Sequence, residues 1–328
     1  MTISPVSFSP YQYNFNLRKN NYIEKKQLNN FSPITFKNST NFDTVDGTIG
    51  NFKQGKIADC YILSALISLA NTEIGAKIVK DNIKNIGNNS YEVTLPGAVI
   101  VNNDYKLENK KSFITGKYII TSSEIENAIK SGKYSSGDLD VLIYELAFEK
   151  YREEVLKTNE INKQKSEYGQ AGQYTGDGTF LDPLNGGNSH DAIFILTGKK
   201  SKNYKISSED VLPYPKGYIQ SSKTNTIETT LNKRGVENLL DKFEKNPKRY
   251  AISFSLKLDD GGRHAVSLTK IRGNRIYFSN PWNTEKEFSL AKEDLFKYAY
   301  NVIISDMQEP SIFEEFRDKM INFTGKFV

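Results

Sequence analysis

The 328-residue sequence is poor in residues on which many folds and sites depend: it has one cysteine, one tryptophan, two histidines and three methionines. One cysteine cannot form an internal disulfide, and a free thiol is preserved best in a reducing compartment. The sequence has no apolar window of about 18 residues and no charged-then-apolar N-terminal pattern. These absences predict a chain without a membrane span and without a Sec signal.

The charge is nearly balanced, with 44 Lys and Arg residues against 39 Asp and Glu residues. Basic and acidic residues are interleaved along the chain and form no basic stripe, so the sequence predicts no nucleic-acid binding. It also contains neither a phosphate-binding glycine loop nor a Cys/His metal cluster. With 38% hydrophobic residues, the chain can bury a large core, and its length is typical of about two compact units.

The single cysteine, Cys60, begins an apolar run that predicts a helix to about Ala70. Unpaired N–H groups at a helix N-terminus stabilise a thiolate, so we expect the pKa of Cys60 to be lowered. A lone cysteine more often fills a gap in a core. Gln54, however, offers a side-chain NH2 that suits an oxyanion together with the backbone N–H of Cys60. We therefore interpret Cys60 as a nucleophile.

The choice of a base is narrow because the sequence has only His190 and His264. His264 begins a predicted strand directly after a glycine turn, where a side chain can face a cleft. A lone strand histidine is otherwise a hydrogen-bonded core residue, and we interpret His190, in a loop after two glycines, as structural or exposed. Asn280 is the candidate that accepts the second N–H of the imidazole and so fixes its tautomer.

The distance between Asn280 and His264 requires an irregular hairpin. A two-residue turn at Gly273-Asn274 would set Asn280 opposite Ser267, three residues and about 10 Å along the strand from His264. We therefore predict a bulge or a wider turn between the two strands.

These stretches resemble the active-site segments of the calpain family of cysteine proteases. The resemblance rests on five short motifs, Gln54-Gly55, Asp59-Cys60, Ile62–Leu66, His264-Ala265 and Asn280-Pro281-Trp282. It implies a papain-like α+β fold of two lobes with the catalytic residues Cys60, His264 and Asn280. It further implies that Gln54 contributes to the oxyanion hole and that Trp282 shields the Asn–His hydrogen bond from water. The sequence departs from the usual Gly, Trp, Gly and Gly of the family at Ala58, Tyr61, Arg263 and Asn283.

The resemblance covers roughly residues 45–305 and divides the chain into four predicted regions. They are an N-terminal arm (1–45), a helical lobe with Cys60 (46–205), an antiparallel β-rich lobe with His264 and Asn280 (206–305) and a C-terminal amphipathic helix (306–328). The composition of the arm fits an extended segment, a propeptide or a secretion signal equally well. No EF-hand pattern follows the core, and calcium within the core is a family trait that no residues here assign.

Local patterns predict the elements between the motifs. The expected helices cover about 60–70, 73–85, 139–156 and 235–243, and a capping box at Ser123 and Glu126 begins a further short helix. The expected strands cover 91–95, 98–101, 113–120, a half-buried strand at 250–258, 264–271 and 275–279. Residues 157–185 are predicted to form a long polar loop.

The sequence therefore favours a cysteine endopeptidase that acts on protein or peptide substrates. Two alternatives remain: a Cys–His deamidase or transglutaminase, and a catalytically inactive protease-like module that binds partners. The reaction uses only groups of the protein itself and requires no cofactor. The expected location is the cytoplasm, or outside the cell after secretion without a Sec signal, as for a bacterial effector that acts in another cell.

Overall fold

The computed structural model describes residues 44–98, 116–163, 187–207, 219–220, 227–258 and 262–311. In these ranges the chain forms seven helices, a three-stranded sheet and an eight-stranded sheet. The predicted α+β class is confirmed. Most of the predicted N-terminal arm, residues 312–328 of the predicted C-terminal helix and residues 164–185 of the predicted loop lie outside the described residues. The predicted start of that helix at residue 306 was wrong, because Asp306 ends a strand and a turn follows it.

The helices, numbered in chain order, are α1 (Cys60–Ala70), α2 (Glu73–Asn82), α3 (Ser122–Ser131), α4 (Leu139–Lys163), α5 (Ser189–Thr197), α6 (Lys233–Lys245) and α7 (Leu295–Tyr298). The small sheet contains β1 (Ile83–Gly87), β2 (Ser90–Thr94) and β3 (Lys117–Ile120) in that order, all antiparallel.

The large sheet is formed by β4 (Lys202–Ile206), β5 (Ile219–Gln220), β6 (Ile227–Leu231), β7 (Tyr250–Lys257), β8 (Arg263–Arg272), β9 (Arg275–Ser279), β10 (Glu287–Ala291) and β11 (Ala299–Asp306). Its strand order is β10-β9-β8-β7-β11-β4-β6-β5. All neighbours are antiparallel except β4 and β6, which run parallel.

Helix α1 lies at the centre of the first core. Its residues Tyr61–Leu69 are all buried, as expected of a helix that is apolar around most of its circumference. It packs against α2 and α5 and against strands β7 and β8. The sheet contributes Ala251 and Ala265 to this core, and Ser64 of α1 hydrogen-bonds Ser253 of β7 at 3.0 Å. Small side chains on β7 and β8 allow the helix to lie close to the strands.

A second core covers β7 and β8 from another side. Helix α6 contributes Val236, Leu239, Leu240 and Phe243, which pack with apolar residues of β7, β8, β9 and β11. Strand β7 therefore has buried residues that belong to both cores, Ala251 to the first and Ile252 to the second. The prediction of a half-buried strand at 250–258 was wrong, because helices cover it on both sides.

Three predicted boundaries were also wrong. The helix expected at 73–85 ends at Asn82, and the next residues form β1, whose Ile83 pairs with Val93 of β2. The capping box lies two residues earlier than expected, since Thr121 accepts from the backbone N–H of Glu124 and the Glu124 carboxylate accepts from that of Thr121. Helix α4 continues to Lys163, well into the predicted loop.

The strand expected at 98–101 is not seen where the structure describes it. Ala98 is helical, and the residues after it lie outside the described ranges. In the described parts of the chain, no single helix is long and apolar enough to cross a membrane; only α1 and α2 taken together, with a 118° bend between them, meet the criteria of length and composition.

Candidate active site

The hairpin of β8 and β9 carries the predicted irregularity. Its turn follows the simple pairing of Arg272 with Arg275, but the register shifts between Leu268 and Lys270, and Ser267 then pairs with Ser279. The shift moves the residue after β9, Asn280, one position closer to the start of β8. The predicted bulge is confirmed, and it shortens the separation between Asn280 and His264 along the strands from three residues to two, which their side chains can span.

Asn280 and His264 are hydrogen-bonded through Oδ1 and Nε2 at 2.7 Å. The same Oδ1 accepts the backbone N–H of Trp282 at 3.0 Å. A backbone N–H can only donate, so this atom of Asn280 is the oxygen, and Nε2 of His264 has to be the donor. In the neutral imidazole the other nitrogen, Nδ1, therefore carries the lone pair that can accept a proton.

The indole of Trp282 covers this pair. Its ring is stacked on the imidazole of His264 with 3.9 Å between the centroids and 24° between the planes. His264 is only 2% exposed. The stacking keeps water away from the Asn–His hydrogen bond and fixes the plane in which the imidazole lies.

Cys60 lies at the first position of α1, against the same strand. The backbone N–H of Ala265, the residue after His264, donates a hydrogen bond to the sulfur of Cys60. The thiol is half-buried. The packing of α1 on β8 thus places Cys60 beside Ala265, the neighbour of His264 in the chain, although more than 200 residues separate the cysteine from the histidine.

The pKa of the thiol differs from the sequence-based expectation. Burial raises the pKa of Cys60 from 9.0 to about 11, and the charge of Asp59 adds to this, while the hydrogen bond from Ala265 acts in the opposite direction. Burial also lowers the pKa of His264 from 6.5 to about 4, although its bond to Asn280 opposes the shift. The expected lowering of the thiol pKa by the helix N-terminus was wrong, because burial outweighs it. At neutral pH both groups are uncharged.

Gln54 lies at the site, but its side-chain amide is turned inward. Nε2 donates to the carbonyl of Ile57 at 2.7 Å and to Oδ1 of Asp59 at 2.9 Å, so both of its N–H groups are occupied. Oε1 is buried and has no hydrogen-bond partner among the described residues. The predicted oxyanion donor is therefore close to Cys60 but is engaged with the residue before it.

The segment that leads to Gln54 is bound to the loop after Asn280. The backbone N–H of Gln54 donates to the carbonyl of Pro281 at 2.8 Å. Two residues earlier, the backbone of Phe52 donates to Oγ1 of Thr284 at 2.7 Å and accepts from the same hydroxyl at 2.9 Å. This clamp between residues 52–54 and 281–284 fixes the position of Gln54 relative to Asn280, and sequence reasoning missed it.

Gly55 has to be a glycine for a steric reason. A Cβ at this position would lie 2.2 Å from the carbonyl oxygen of Lys133 and 2.3 Å from that of Tyr134. The turn that follows Gln54 therefore touches the backbone that precedes α4. This contact carries the start of α1 close to a buried residue of α4, Glu145.

Sequence reasoning also missed the carboxyl pair formed by Asp59 and Glu145. The two side chains are hydrogen-bonded to each other and are only 1% and 4% exposed. Burial raises the pKa of Asp59 to about 6, and burial together with the charge of Asp59 raises that of Glu145 well above its usual range. Burial thus disfavours the doubly ionised form of the pair. The available signal was an acidic residue at a position beside the apolar stripe of α4.

His190 is not in the loop that the sequence predicted but in the first turn of α5, whose N-cap Asn188 accepts its backbone N–H. Its Nδ1 is hydrogen-bonded to Oγ of Ser201 at 2.7 Å, and burial lowers its pKa. The interpretation of His190 as a structural residue agrees with these contacts. Arg263, which replaces the usual glycine before the histidine, is exposed and lies over the ring of Tyr300 at 3.5 Å from its centroid.

The described residues offer no group of three or more His, Cys, Asp or Glu side chains that could hold a metal ion.

No protein-family model matches the chain, and no curated protein matches it.

Proposed function

We propose that this chain is a calpain-like cysteine endopeptidase with a papain-like fold, which cleaves peptide bonds in protein substrates. One observation carries the proposal: the sulfur of Cys60 is hydrogen-bonded to the residue after His264, and His264 is in turn hydrogen-bonded to Asn280 under the ring of Trp282. A thiol, an imidazole and a carboxamide in this order form the constellation that activates a cysteine nucleophile.

The reaction begins with an uncharged thiol and an uncharged imidazole. As the sulfur of Cys60 attacks the substrate carbonyl carbon, Nδ1 of His264 takes the thiol proton, and Asn280 stabilises the imidazolium by accepting from Nε2. The same proton then passes to the leaving amine, and a thioester remains on Cys60. Water attacks this thioester and transfers a proton through His264 to the sulfur, which releases the acid and restores the thiol.

The oxyanion of each tetrahedral intermediate needs donors near Cys60. The backbone N–H of Cys60 is at the first helical position, where no intrahelical acceptor is available. Gln54 supplies the second donor when its Nε2 exchanges the bond to Asp59 for one to the oxyanion. The inward orientation of Gln54 is thus the unliganded state of the donor, and the exchange occurs only when negative charge develops on the substrate oxygen.

The mechanism uses only side chains and backbone groups of the chain itself. A reducing cytosol, either of the producing cell or of a cell into which the protein is delivered, suits a free reactive thiol. The protein substrate is proposed from the reaction class, and the sequence it prefers is not assigned.

Mass mapping of an unstructured protein such as casein tests this function. We expect new peptide termini after incubation with the wild type and none with Cys60→Ala, because the substitution removes the nucleophile and leaves almost no cavity. Deamidated or cross-linked glutamines without new termini would indicate a deamidase or transglutaminase. An unchanged substrate, with Cys60 still open to a thiol-alkylating protease inhibitor, would favour an inactive binding module.

A further inference from the structure

Asp59 occupies the N-cap position of α1 but does not cap the helix. Its side chain makes no hydrogen bond to the first backbone N–H groups of the helix, which is the usual role of an aspartate at this position. It accepts instead from Nε2 of Gln54 and shares a hydrogen bond with Glu145. The carboxylate therefore lies between the oxyanion donor on one side and a second carboxyl group on the other.

Glu145 is held in place from behind. Its Oε2 accepts the backbone N–H of Ser135 at 2.9 Å, and its Oε1 accepts the hydroxyl of Ser135 at 3.1 Å. These donors fix the carboxyl group of Glu145 from the side of Ser135. Its other side faces Asp59. Two carboxyl groups at hydrogen-bond distance in a buried site cannot both ionise at neutral pH, because each would raise the free energy of the other.

The groups that face this pair include the nucleophile. Burial raises the pKa values of Cys60 and Tyr61 on α1 and of Tyr134 on the segment before α4. The charge of Asp59 adds to this for Cys60 and Tyr61, and that of Glu145 adds less than Glu149 does for Tyr134. Loss of the shared proton would place a second negative charge beside Cys60 and tighten the hold of Asp59 on Gln54. Both effects oppose the proposed reaction, since one disfavours the thiolate and the other withholds the oxyanion donor.

We propose that Glu145 is a positioning residue of the active site, which shares one proton with Asp59 and thereby limits the charge that faces Cys60 and the strength with which Gln54 is held inward. The effect on hydrolysis rests on the proposed function. The effect on the reactivity of Cys60 does not, because it follows from charge alone.

The test is the rate at which iodoacetamide alkylates Cys60, measured from neutral to alkaline pH. Because Cys60 is the only cysteine, the signal belongs to one group. In the wild type we expect the alkylation rate to depend on pH through two coupled ionisations, that of the Cys60 thiol and that of the carboxyl pair. Glu145→Gln replaces the shared proton by fixed N–H donors, so its curve should show one ionisation with a midpoint lower by about one pH unit, that is, about tenfold more thiolate at a given alkaline pH.

Glu149→Gln is the matched control. Glu149 lies one turn further along α4 and bonds Lys133 and Tyr134 instead of Asp59, so this variant should keep the wild-type curve. A curve of folded Glu145→Gln that superimposes on that of the wild type would overturn the proposal. Hydrolysis assays add a second readout, in which Glu145→Gln should lower kcat and leave KM nearly unchanged, because its Asp59 stays ionised and retains Gln54.

Two further measurements test the proposal if Glu145→Gln does not fold. Asp59→Asn removes the other carboxyl group of the pair and with it the coupling to Glu145. The pH dependence of its alkylation rate should therefore also be simpler than that of the wild type. Infrared spectra of the wild type should show a protonated carboxylic acid that persists above neutral pH, and its absence there would contradict the proposal directly. A wild type that hydrolyses nothing would remove the protease function but leave the alkylation and infrared results to decide on the pair.

Discussion

The two sides of the candidate site are built in different ways. His264, Asn280 and Trp282 lie on one hairpin and the loop after it, and their contacts join residues at most 18 positions apart in the sequence. On the other side, Gln54, Asp59 and Cys60 come from one short stretch, but Glu145 of α4 lies 86 positions after Asp59 and reaches it only when α1 is enclosed between α4, α5 and the large sheet.

The two sides therefore have different roles. The hairpin side supplies the base, and the helix side sets the charge around the thiol and Gln54. The hairpin side holds an uncharged base in one tautomer, because every polar atom that defines the tautomer has a partner nearby in the chain. The helix side holds buried carboxyl groups whose charge acts on the thiol and on Gln54. We expect loss of the nucleophile Cys60 or of the base His264 to abolish the reaction, and substitutions of the groups around Cys60 on the helix side to change its rate and pH dependence.

The largest effect should come from the base. His264→Ala should abolish hydrolysis, with a loss of at least about 10³-fold in kcat/KM, because no other group can take the proton of Cys60. His190→Ala is the internal control and should retain wild-type activity, since its ring contacts Ser201. Peptidase assays on both variants check this, and an inactive His190→Ala beside an active His264→Ala would reverse the assignment of the base.

The next effect concerns the helix side. Gln54→Ala should lower kcat by about 10² to 10³ with a smaller change in KM, as for the loss of one oxyanion donor. The inward hydrogen bonds of Gln54 mean that its removal also frees Asp59 from a partner. Steady-state kinetics measure the effect, and a variant with wild-type kcat would show that Gln54 never turns toward the substrate.

Stability between pH 6.5 and 4 should report on the buried base. The unfolded chain protonates His264 with a pKa near 6.5, whereas the folded chain does so only near 4. The unfolded state therefore binds more protons in this range, and the free energy of unfolding falls as the pH is lowered through it, by about 3 kcal/mol in all.

His264→Gln removes this titration and should flatten the pH dependence by the same amount. Denaturant unfolding at several pH values compares the two proteins. Parallel pH profiles would mean that the imidazole is not buried in its neutral form.

The smallest effect should come from the clamp that joins the two sides. Thr284→Val removes both hydrogen bonds between Oγ1 and the backbone of Phe52, at a cost of about 1 to 3 kcal/mol for the groups left unpaired. Thermal unfolding measures the loss. Thr121→Val, which removes the N-cap hydroxyl of α3, is the control for a threonine outside the clamp, and it should leave kcat unchanged whereas Thr284→Val lowers it.

The sequence by itself determined the elements whose signals are local. The apolar run after Cys60 is long enough to require a helix that is enclosed on all sides, and the alternation in 250–257 and 264–271 requires strands. The need for a bulge near Gly273 also followed from residue spacing alone, because strand geometry converts three residues into a distance that no hydrogen bond can span. Cys60 and His264 could be selected because the sequence has one cysteine and two histidines, whereas Asn280 was selected because Asn280-Pro281-Trp282 resembles a motif of the calpain family.

Only the tertiary structure decided how charged groups behave at the site. The helix N-terminus suggested a lowered pKa for Cys60, but enclosure of α1 raised it, because desolvation depends on what packs around the sulfur and no local pattern reports that. In the sequence, Glu145 is simply one acidic residue near an apolar stripe. Its partner Asp59 lies 86 positions earlier, and the proton they share exists only because folding buries two acids side by side.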